Sequence, residues 1–387
     1  EPKYAGPVIY VKDASRSVGI AQALINQSSR GELVAKVRAE NAKRRERHAS
    51  KSRLKPQITL AQARRNRAPI AWPDYNPPTP NFLGTKAFDI DLQTLVNYID
   101  WMPFFNAWEF HGKYPAILTD AVVGEEASKL KHDADALLQQ VIEEKWLKAN
   151  AVIGLYPAHS DGDDVLVFAD ESRDELLHRF HFLRQQRHKP AGQPHYCLAD
   201  FVAPHDSGRG DYLGGFVVSA GHGIDQHVAR FERDHDDYNS IMLKALADRL
   251  AEAAAEYVHE RVRRDHWGYA SDEQLTNDDL IAESYGGIRP APGYPACPDH
   301  TEKDTLWALL DARNRVGVSL TESYAMLPTA AVSGLYFAHP EARYFSVGGV
   351  DRDQIESYAE RKGLPVAEVE RWLAPNLGYV RDAADAA

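Results

Sequence analysis

The sequence predicts an α+β fold, because long helical segments occur together with short β-rich runs that turns join in pairs. Residues 125–147 and 226–264 carry apolar side chains at helical spacing. Residues 158–163 and 339–342 contain turn-forming residues such as Asp, Gly and Pro, and each segment separates two β-rich runs. Short separators of this kind are typical of antiparallel hairpins. We therefore expect an antiparallel sheet with helices packed against it.

Composition limits the size and the class of the protein. The 387 residues, 44% of them apolar, are enough for one sizeable domain with an appendage or for two domains. Only Cys197 and Cys297 are present, which excludes a disulfide framework and a four-cysteine zinc site. The net charge of −11 disfavours a nucleic-acid-binding surface across the whole chain. We expect a cytoplasmic protein without a metal site in this chain.

Neither a membrane span nor a secretory signal is predicted. No window approaches the length of about 18 consecutive apolar residues that a membrane helix needs. The first residues, Glu1-Pro2-Lys3-Tyr4, include neither an initiator methionine nor the basic and apolar regions of a signal peptide. We therefore expect a fragment of a longer protein that does not associate with membranes.

The first elements predict the end of another domain. Residues 7–11 have the composition of a short strand, and residues 18–25 have a helical pattern. Because a lone βα unit cannot bury its apolar face, we interpret it as the trailing edge of an upstream parallel α/β domain. Residues 33–66 then predict a polar helix with a basic run at 43–48. Interspersed glutamates favour a solvated linker helix over a nucleic-acid-binding segment.

The main domain is expected to begin after a proline-rich stretch at residues 69–80, which contains too many prolines for regular structure. Its predicted helices include the two segments named above. Its predicted strands are residues 151–156, 164–168, 214–218, 332–337 and 344–347.

The most unusual segment is a second proline-rich stretch at residues 288–300, which contains four prolines. Repeated prolines fix the backbone and leave few amides, among them those of Ala291, Gly293 and Tyr294, pointing in defined directions. Arg289 offers a bidentate fork for a carboxylate, Gly293 allows close backbone approach, and Tyr294 adds a ring and a hydroxyl. Spacing alone leaves open whether this is a ligand-binding loop or a structural crossover.

Asp100 is a second candidate, because an apolar helical pattern over residues 92–99 is followed by Pro103. We expect Pro103 to end the helix and Asp100 to lie near its C-terminus, where a carboxylate opposes the macrodipole. Aromatic neighbours raise the cost of an unpaired charge, so a cationic partner such as an ammonium group is one interpretation. A surface Asp that closes a turn is the other.

Tyr344 and Phe345 are the third candidate. They fall on the second strand of the hairpin predicted over residues 332–347, where alternate side chains face opposite sides of the sheet. One face of a sheet usually packs on the core, so either residue can equally be a core or edge aromatic.

Several motifs resemble one family over about residues 55–380. They are RPAPGYPACPDHTEK at 289–303, HDDYN at 235–239, KALADRLAE at 244–252, HERVR at 259–263 and ERWLAPNLGY at 370–379. The chain resembles the activation domain of cobalamin-dependent methionine synthase, and residues 8–28 resemble the last strand and helix of that enzyme's cobalamin-binding domain. The implied division is 1–50 for that domain end with a linker helix and 51–387 for the activation domain.

The resemblance implies a C-shaped single α+β domain around a twisted antiparallel sheet with flanking helices, which binds S-adenosylmethionine in a shallow groove. By motif, Asp100 would meet the ligand's amino group and Arg289 its carboxylate. The backbone at Ala291, Gly293 and Tyr294 would meet the adenosine portion, and Tyr344 and Phe345 would complete the site. Residues of one predicted helix would contact the cobalamin domain or form a solvated face; they are Asp248, Arg249 and Glu252.

The resemblance also implies the chemistry. In this family, the methyl group of S-adenosylmethionine and one electron from a flavodoxin-like donor convert cob(II)alamin to methylcobalamin. The whole enzyme transfers a methyl group from 5-methyltetrahydrofolate to homocysteine. The chain lacks the Asp-x-His-x-x-Gly signature that binds cobalamin and the cysteine-rich zinc site of the homocysteine domain. Cobalamin and zinc would therefore belong to other domains, and no side chain need act as acid or base.

Three other functions remain possible from the sequence. A stand-alone S-adenosylmethionine-dependent methyltransferase would normally carry a glycine-rich βα turn, whereas the candidate loop here is proline-rich and late in the chain. Residues 353–372 have a helix–turn–helix pattern, but the second helix carries Glu368 and Glu370, which suit phosphates poorly. A docking module without a ligand would require the Arg289 loop to be structural only.

Overall fold

The computed structural model of this chain describes residues 4, 6–11, 14–53 and 58–381. Within them the helices are α1 (Ala14–Ile25), α2 (Gln27–Arg53), α3 (Leu60–Arg65), α4 (Leu92–Leu95), α5 (Met102–Ala107), α6 (Gly124–Glu143), α7 (Ile224–Arg233), α8 (Asp237–Arg261), α9 (Asn277–Ile281), α10 (Glu302–Leu310), α11 (Ala312–Val316), α12 (Arg352–Lys362) and α13 (Val366–Trp372). The strands are β1 (Gly84–Ile90), β2 (Lys148–Asp161), β3 (Asp164–Phe168), β4 (Leu176–His181), β5 (Asp211–His222), β6 (Ser319–Leu320), β7 (Met326–Leu327) and β8 (Ala331–Tyr336).

An antiparallel sheet with the order β4-β3-β2-β5-β8 forms the centre of the structure. The long strand β2 has two neighbours along one edge, because β1 pairs with its first half and β3 with its second half. Its other edge pairs with β5 along almost its whole length. The sheet and its flanking helices confirm the predicted α+β class.

Helices cover both faces of this sheet. On one face α8 packs on β5 and β8, and side chains such as Leu246 and Leu250 meet Ile153 and Val218. On the other face α10 and α11 pack on β2 and β5. Neighbouring strand residues point to opposite faces, and nearly every residue of β2 and β5 is buried. Both faces of these two strands are therefore covered. This burial explains why the two strands are almost continuously apolar.

The predicted helix at 226–264 is two helices. Helix α7 ends before Asp236, whose carboxylate accepts a hydrogen bond from the amide of Asn239 at 3.0 Å and caps α8. Local capping therefore overrides a continuous apolar pattern. The predicted polar helix at 33–66 is likewise not one helix, because α3 begins separately after a capping box formed by Thr59 and Gln62, whereas α2 is described as far as Arg53.

The strand predicted at residues 7–11 stays a prediction, because it forms no ladder with another described strand and its expected partners belong to an upstream domain. One other predicted strand is wrong. Residues 344–347 are irregular, so β8 has no hairpin partner there. The predicted hairpin of β2 and β3 is present, but residues 158–161 continue β2 and the turn is only Gly162 and Asp163, with Asp161 opposite Asp164. Strands β1 and β4 were not predicted, because their alternation is interrupted by charged residues.

No helix in the described residues is long and apolar enough to cross a membrane. The predicted helix–turn–helix at 353–372 is present as α12 and α13, joined through Gly363 in the left-handed conformation. It packs inward through Ile355, Tyr358 and Val369.

A buried ion cluster joins α12 to α10 and to the end of the proline-rich segment. The Lys362 ammonium donates to Asp299 at 3.0 Å and to Glu302 at 2.5 Å, and the Tyr358 hydroxyl donates to Asp299 at 2.8 Å. Burial raises the pKa of Glu302 although Lys362 opposes this shift. Burial also favours a higher pKa for Asp299, but Lys362 and hydrogen-bond donors outweigh it, so the pKa of Asp299 is lowered. The cluster therefore depends on its single lysine.

Replacing Lys362 with methionine is expected to lower the free energy of unfolding at neutral pH by about 3–5 kcal/mol, because two buried carboxylates lose their cationic partner. The loss should be smaller in mild acid, since an unpaired buried carboxylate has a raised pKa and takes up a proton. Urea unfolding followed by circular dichroism at both pH values measures these quantities.

The matched control is Arg371→Met, which removes an exposed ion pair with Glu368. It should change the free energy of unfolding by at most about 0.5 kcal/mol. Equal losses in the two variants would contradict a stabilising role for the buried cluster.

Candidate functional site

The proline-rich segment runs beside the outer edge of β8. The amide of Ile288 donates to the carbonyl of Phe337 at 3.0 Å, and the amide of Leu335 donates to the carbonyl of Pro290 at 2.9 Å. A Cβ atom on Gly334 would lie 2.9 Å from the Pro290 carbonyl oxygen. Glycine at this strand position therefore lets the segment lie directly on the sheet.

The tip of the segment is a tight turn around Gly293. The Gly293 amide donates to the carbonyl of Cys297 at 2.7 Å, and the Tyr294 amide donates to the carbonyl of Ala291 at 3.1 Å. Gly293 has a φ of +97°, and a Cβ there would lie 2.2 Å from Cε1 of His300. Conformation and packing thus both require glycine. No described residue accepts a hydrogen bond from the amide of Ala291.

A groove of about 550 Å³ lies beside this turn, within the size range of small-molecule sites. The structure brings five of the predicted site residues to its wall: Arg289, Ala291, Tyr294, Tyr344 and Phe345. Residues that the sequence did not single out as ligand contacts also line it, among them Glu252, Glu283, Lys303, Met326 and Ser333.

The Arg289 guanidinium lies against α8. Its Nη2 donates to Oε2 of Glu256 at 2.6 Å and its Nη1 donates to Oε1 at 3.2 Å. Nη1 also donates to Nδ1 of His259 at 3.0 Å and to the hydroxyl of Tyr285. One edge of the predicted bidentate fork is thus used within the protein, while Nε has no hydrogen-bond partner among the described residues.

Burial sets the charge states around this guanidinium. Burial raises the pKa of Glu256, an effect that Arg289 partly reverses. Burial, with Arg289 and Arg263 adding repulsion, holds the pKa of His259 well below its ordinary value. Because arginine can only donate, a neutral His259 must accept at Nδ1. The groove wall therefore contains the positively charged Arg289 guanidinium, which is paired with the buried carboxylate of Glu256.

Tyr344 and Phe345 reach the groove from an irregular segment and not from a strand. The Tyr344 hydroxyl accepts a hydrogen bond from the backbone amide of Arg289 at 3.0 Å. Phe345 packs against Tyr196 and Phe201, with ring centroids 5.8 and 6.5 Å apart. Tyr344 is 41% exposed and Tyr294 is 63% exposed, so their rings are accessible to a ligand.

Two carboxylates share the groove with Arg289. Glu252 lies on α8 one turn before Glu256, and Glu283 follows the short helix α9. Glu252 was predicted to contact another domain together with Asp248 and Arg249. Those two residues precede it on α8 and are not part of the groove wall. No sequence signal pointed to Glu283, because its proximity to the groove depends on contacts between distant segments.

Asp100 lies in a different groove, of about 380 Å³, together with Lys113, Tyr114 and Ala282. Its carboxylate accepts a hydrogen bond from the amide of Met102 at 2.9 Å, at the start of α5. Helical structure over residues 92–98 does end just before Asp100, as predicted, but Pro103 does not end it, because this proline occupies the first turn of α5, where it loses no hydrogen bond. The macrodipole of α5 therefore favours the Asp100 carboxylate.

Across residues 4, 6–11, 14–53 and 58–381, no group of three His, Cys, Asp or Glu side chains could hold a metal ion. Both cysteines are buried, and burial raises the pKa of each thiol well above its ordinary value.

Comparisons with known proteins identify relatives of this chain. A family model described as "Vitamin B12 dependent methionine synthase, activation domain" matches residues 91–363. A crystal structure of the MetH reactivation domain bound to AdoHcy is 54% identical in sequence and superposes with a TM-score of 0.83. The match covers 84% of this chain and 100% of that one.

The tight turn predicts that residue 293 must be a glycine for the protein to keep its stability. Gly293→Ala is expected to lower the free energy of unfolding by about 1–3 kcal/mol, because the φ is unfavourable and His300 must move. Gly286→Ala is the matched control, since a Cβ there meets nothing within 4 Å and its φ is not in the left-handed region. Thermal unfolding of both variants measures the difference, and equal stabilities would contradict the requirement.

Proposed function

Since this chain belongs to the family of vitamin B12-dependent methionine synthase activation domains, we propose that it binds S-adenosylmethionine in the groove beside Arg289. In this proposal it supplies the ligand's methyl group for the reductive methylation of cob(II)alamin to methylcobalamin. The observation that carries the proposal is the 54% identical relative, whose bound AdoHcy is S-adenosylmethionine without its methyl group. The enzyme context of the family is a methyltransferase with a neighbouring cobalamin-binding domain.

The carboxylate of the ligand would bind Arg289. The Nη1–Nη2 edge is engaged by Glu256, so the ligand would meet the Nε edge, which can donate two parallel hydrogen bonds to a carboxylate. Among the predicted backbone contacts, the Gly293 and Tyr294 amides already bond within the turn. The amide of Ala291 is therefore the turn donor best suited to the adenosine portion.

The sulfonium would lie between aromatic rings and carboxylates. A cation near Tyr294 or Tyr344 gains about 0.5–2 kcal/mol from the ring face. Glu252 and Glu283 add negative charge to the same groove. This combination favours a cationic sulfonium over a neutral thioether, and so favours the methyl donor over the demethylated product.

We retain Asp100 as a proposed partner of the ligand's amino group. The two grooves are lined by consecutive residues, Ala282 for the Asp100 groove and Glu283 for the Arg289 groove. Because the amino and carboxylate groups of the ligand are attached to the same carbon atom, Asp100 would have to lie close to the carboxylate that Arg289 holds. The proposal requires that the two grooves be joined when the ligand is bound.

The chain would act by positioning and not by acid–base catalysis. Cobalamin held by the neighbouring domain would supply the methyl acceptor, AdoHcy would be the leaving group, and one electron would come from a donor that we propose to be flavodoxin-like. The residues of the groove would hold the sulfonium methyl towards the acceptor, which makes the transfer effectively intramolecular. We propose that Asp248 and Arg249 contact the cobalamin domain, because they lie on α8 next to Glu252 of the groove.

The division of the chain also stays a proposal. We assign residues 1–50 to the end of the cobalamin-binding domain with a linker helix, and residues 51–387 to the activation domain. The family match within 91–363 supports the activation-domain part of this assignment, and the polar helix α2, described as far as Arg53, would be the linker helix. The proposed location is the cytoplasm, and the proposed whole reaction is methyl transfer from 5-methyltetrahydrofolate to homocysteine. Zinc would belong to the homocysteine domain of the whole enzyme.

Calorimetric titration of S-adenosylmethionine and of AdoHcy into the protein tests the proposal. We expect saturable one-to-one binding whose affinity falls by about 10- to 150-fold when Arg289 is replaced. This ratio corresponds to the free energy of one charge-assisted hydrogen bond. Arg289→Ala alone also leaves Glu256 as an unpaired buried carboxylate, which can unfold the protein. The paired variant Arg289→Met with Glu256→Leu removes both charges and avoids this cost.

The control for this titration is Arg315→Ala, which removes only a partly exposed ion pair with Asp311 and should bind normally. Absence of binding to the folded wild-type protein would refute the ligand site and favour a docking module. Binding that survives in the paired variant would refute the role of Arg289.

Glu283→Gln should weaken binding of S-adenosylmethionine by about fivefold, or about 1 kcal/mol, because it removes an anion near the sulfonium. Binding of the neutral thioether AdoHcy should be unchanged. Glu126→Gln on α6, outside the groove, is the control. The difference should diminish in high salt, because the groove is open to solvent. Equal weakening for both ligands would exclude an electrostatic role for Glu283.

A further inference from the structure

Three side chains of the protein accept hydrogen bonds from the Arg289 guanidinium before any ligand binds. Glu256 and His259 lie one turn apart on α8, and Tyr285 lies four residues before Arg289. Together they present both carboxylate oxygens, an imidazole nitrogen and a hydroxyl to the two terminal nitrogens of the guanidinium. Nη1 shares its two N–H groups among three of these acceptors, and Nη2 donates to the fourth.

A second arginine supports this arrangement from behind. Arg263 is fully buried and donates from Nε and Nη2 to Glu273 at distances of 2.8–3.0 Å. Its guanidinium carbon lies 4.0 Å from the ring centroid of Tyr285. Arg263 therefore packs against the Tyr285 ring, while Arg289 donates a hydrogen bond to the hydroxyl of the same tyrosine.

The hydrogen-bond count defines what remains for a ligand. A guanidinium has five N–H bonds. The contacts to Glu256, His259 and Tyr285 occupy Nη1 and one N–H of Nη2. The Nε–H and the second N–H of Nη2 point along the remaining edge, which is the geometry that a carboxylate accepts side-on.

We propose that Glu256, His259 and Tyr285 are positioning residues, which immobilise Arg289 so that its Nε edge selects ligands carrying an α-carboxylate. The inference rests on the proposed function, because it names what the groove recognises. A free arginine side chain has many rotamers, and fixing it before binding removes an entropic cost that the ligand would otherwise bear. None of the three residues needs to touch the ligand.

Comparing S-adenosylmethionine with its decarboxylated analogue tests this role. The analogue has the same sulfonium and adenosine but no carboxylate. Glu256→Gln places an amide donor against the donors of Arg289, so we expect affinity for S-adenosylmethionine to fall about tenfold. Affinity for the decarboxylated analogue should be unchanged. Calorimetry with both ligands measures the ratio in each variant.

Two further variants distinguish a positioning role from a purely structural one. Tyr285→Phe removes one hydroxyl contact and preserves the ring, so it should cause a smaller loss with the same ligand selectivity. Glu260→Gln lies one turn further along α8, pairs with Tyr98 and Arg264, and should leave the ratio unchanged. Equal weakening for both ligands in Glu256→Gln and Tyr285→Phe would show a purely structural role and overturn the proposal. No weakening in either variant would also overturn it.

A measurement on the ligand-free protein separates this inference from the proposed function. Nitrogen NMR of the Arg289 guanidinium should show slow rotation about the Nε–Cζ bond in the wild type and faster rotation in Glu256→Gln. If the wild type binds neither ligand, the proposed function fails, and the rotation rates still show whether Glu256 immobilises Arg289. Equal rotation rates in the two proteins would refute immobilisation.

Discussion

The ion pair between Arg289 and Glu256 is the constraint on which the groove depends. It joins the start of the proline-rich segment to the helix that covers one face of the sheet. Both side chains are largely shielded from water, so separating them would leave uncompensated charge in the interior. The segment therefore cannot leave α8 without a large energetic cost. A groove between a helix and a loop stays open only when both walls are fixed in this way.

The other end of the segment is fixed by a second buried cluster, in which Lys362 holds Asp299 and Glu302. Between these two anchors, the backbone lies along β8 at Gly334 and turns at Gly293. Prolines limit the remaining freedom of the chain. The result is a rigid wall built from a segment without regular secondary structure, which suits a site that must hold a reacting group in a set direction.

The charge distribution of the groove agrees with the family to which the chain belongs. Two basic side chains, Arg289 and Lys303, share the groove wall with carboxylates and exposed aromatic rings, an arrangement suited to a ligand that carries both a carboxylate and a sulfonium. None of the groove residues needs to exchange a proton in the proposed transfer. Selectivity would come from the direction of hydrogen bonds and from the sign of the charge, both of which the fold sets before a ligand binds.

The sequence by itself determined the α+β class, the hairpin of β2 and β3, the buried strand β5 and the helix pair α12–α13, because these follow from local periodicity and turn residues. It also identified the Arg289 segment, whose prolines are a local signal, and its motifs carried the resemblance to the family. Only the tertiary structure decided that Glu256 holds Arg289, that Glu283 lines the groove, that Tyr344 lies outside the sheet and that Asp100 lies in a different groove from Arg289. These facts depend on contacts between distant segments, which side-chain periodicity along one segment cannot encode.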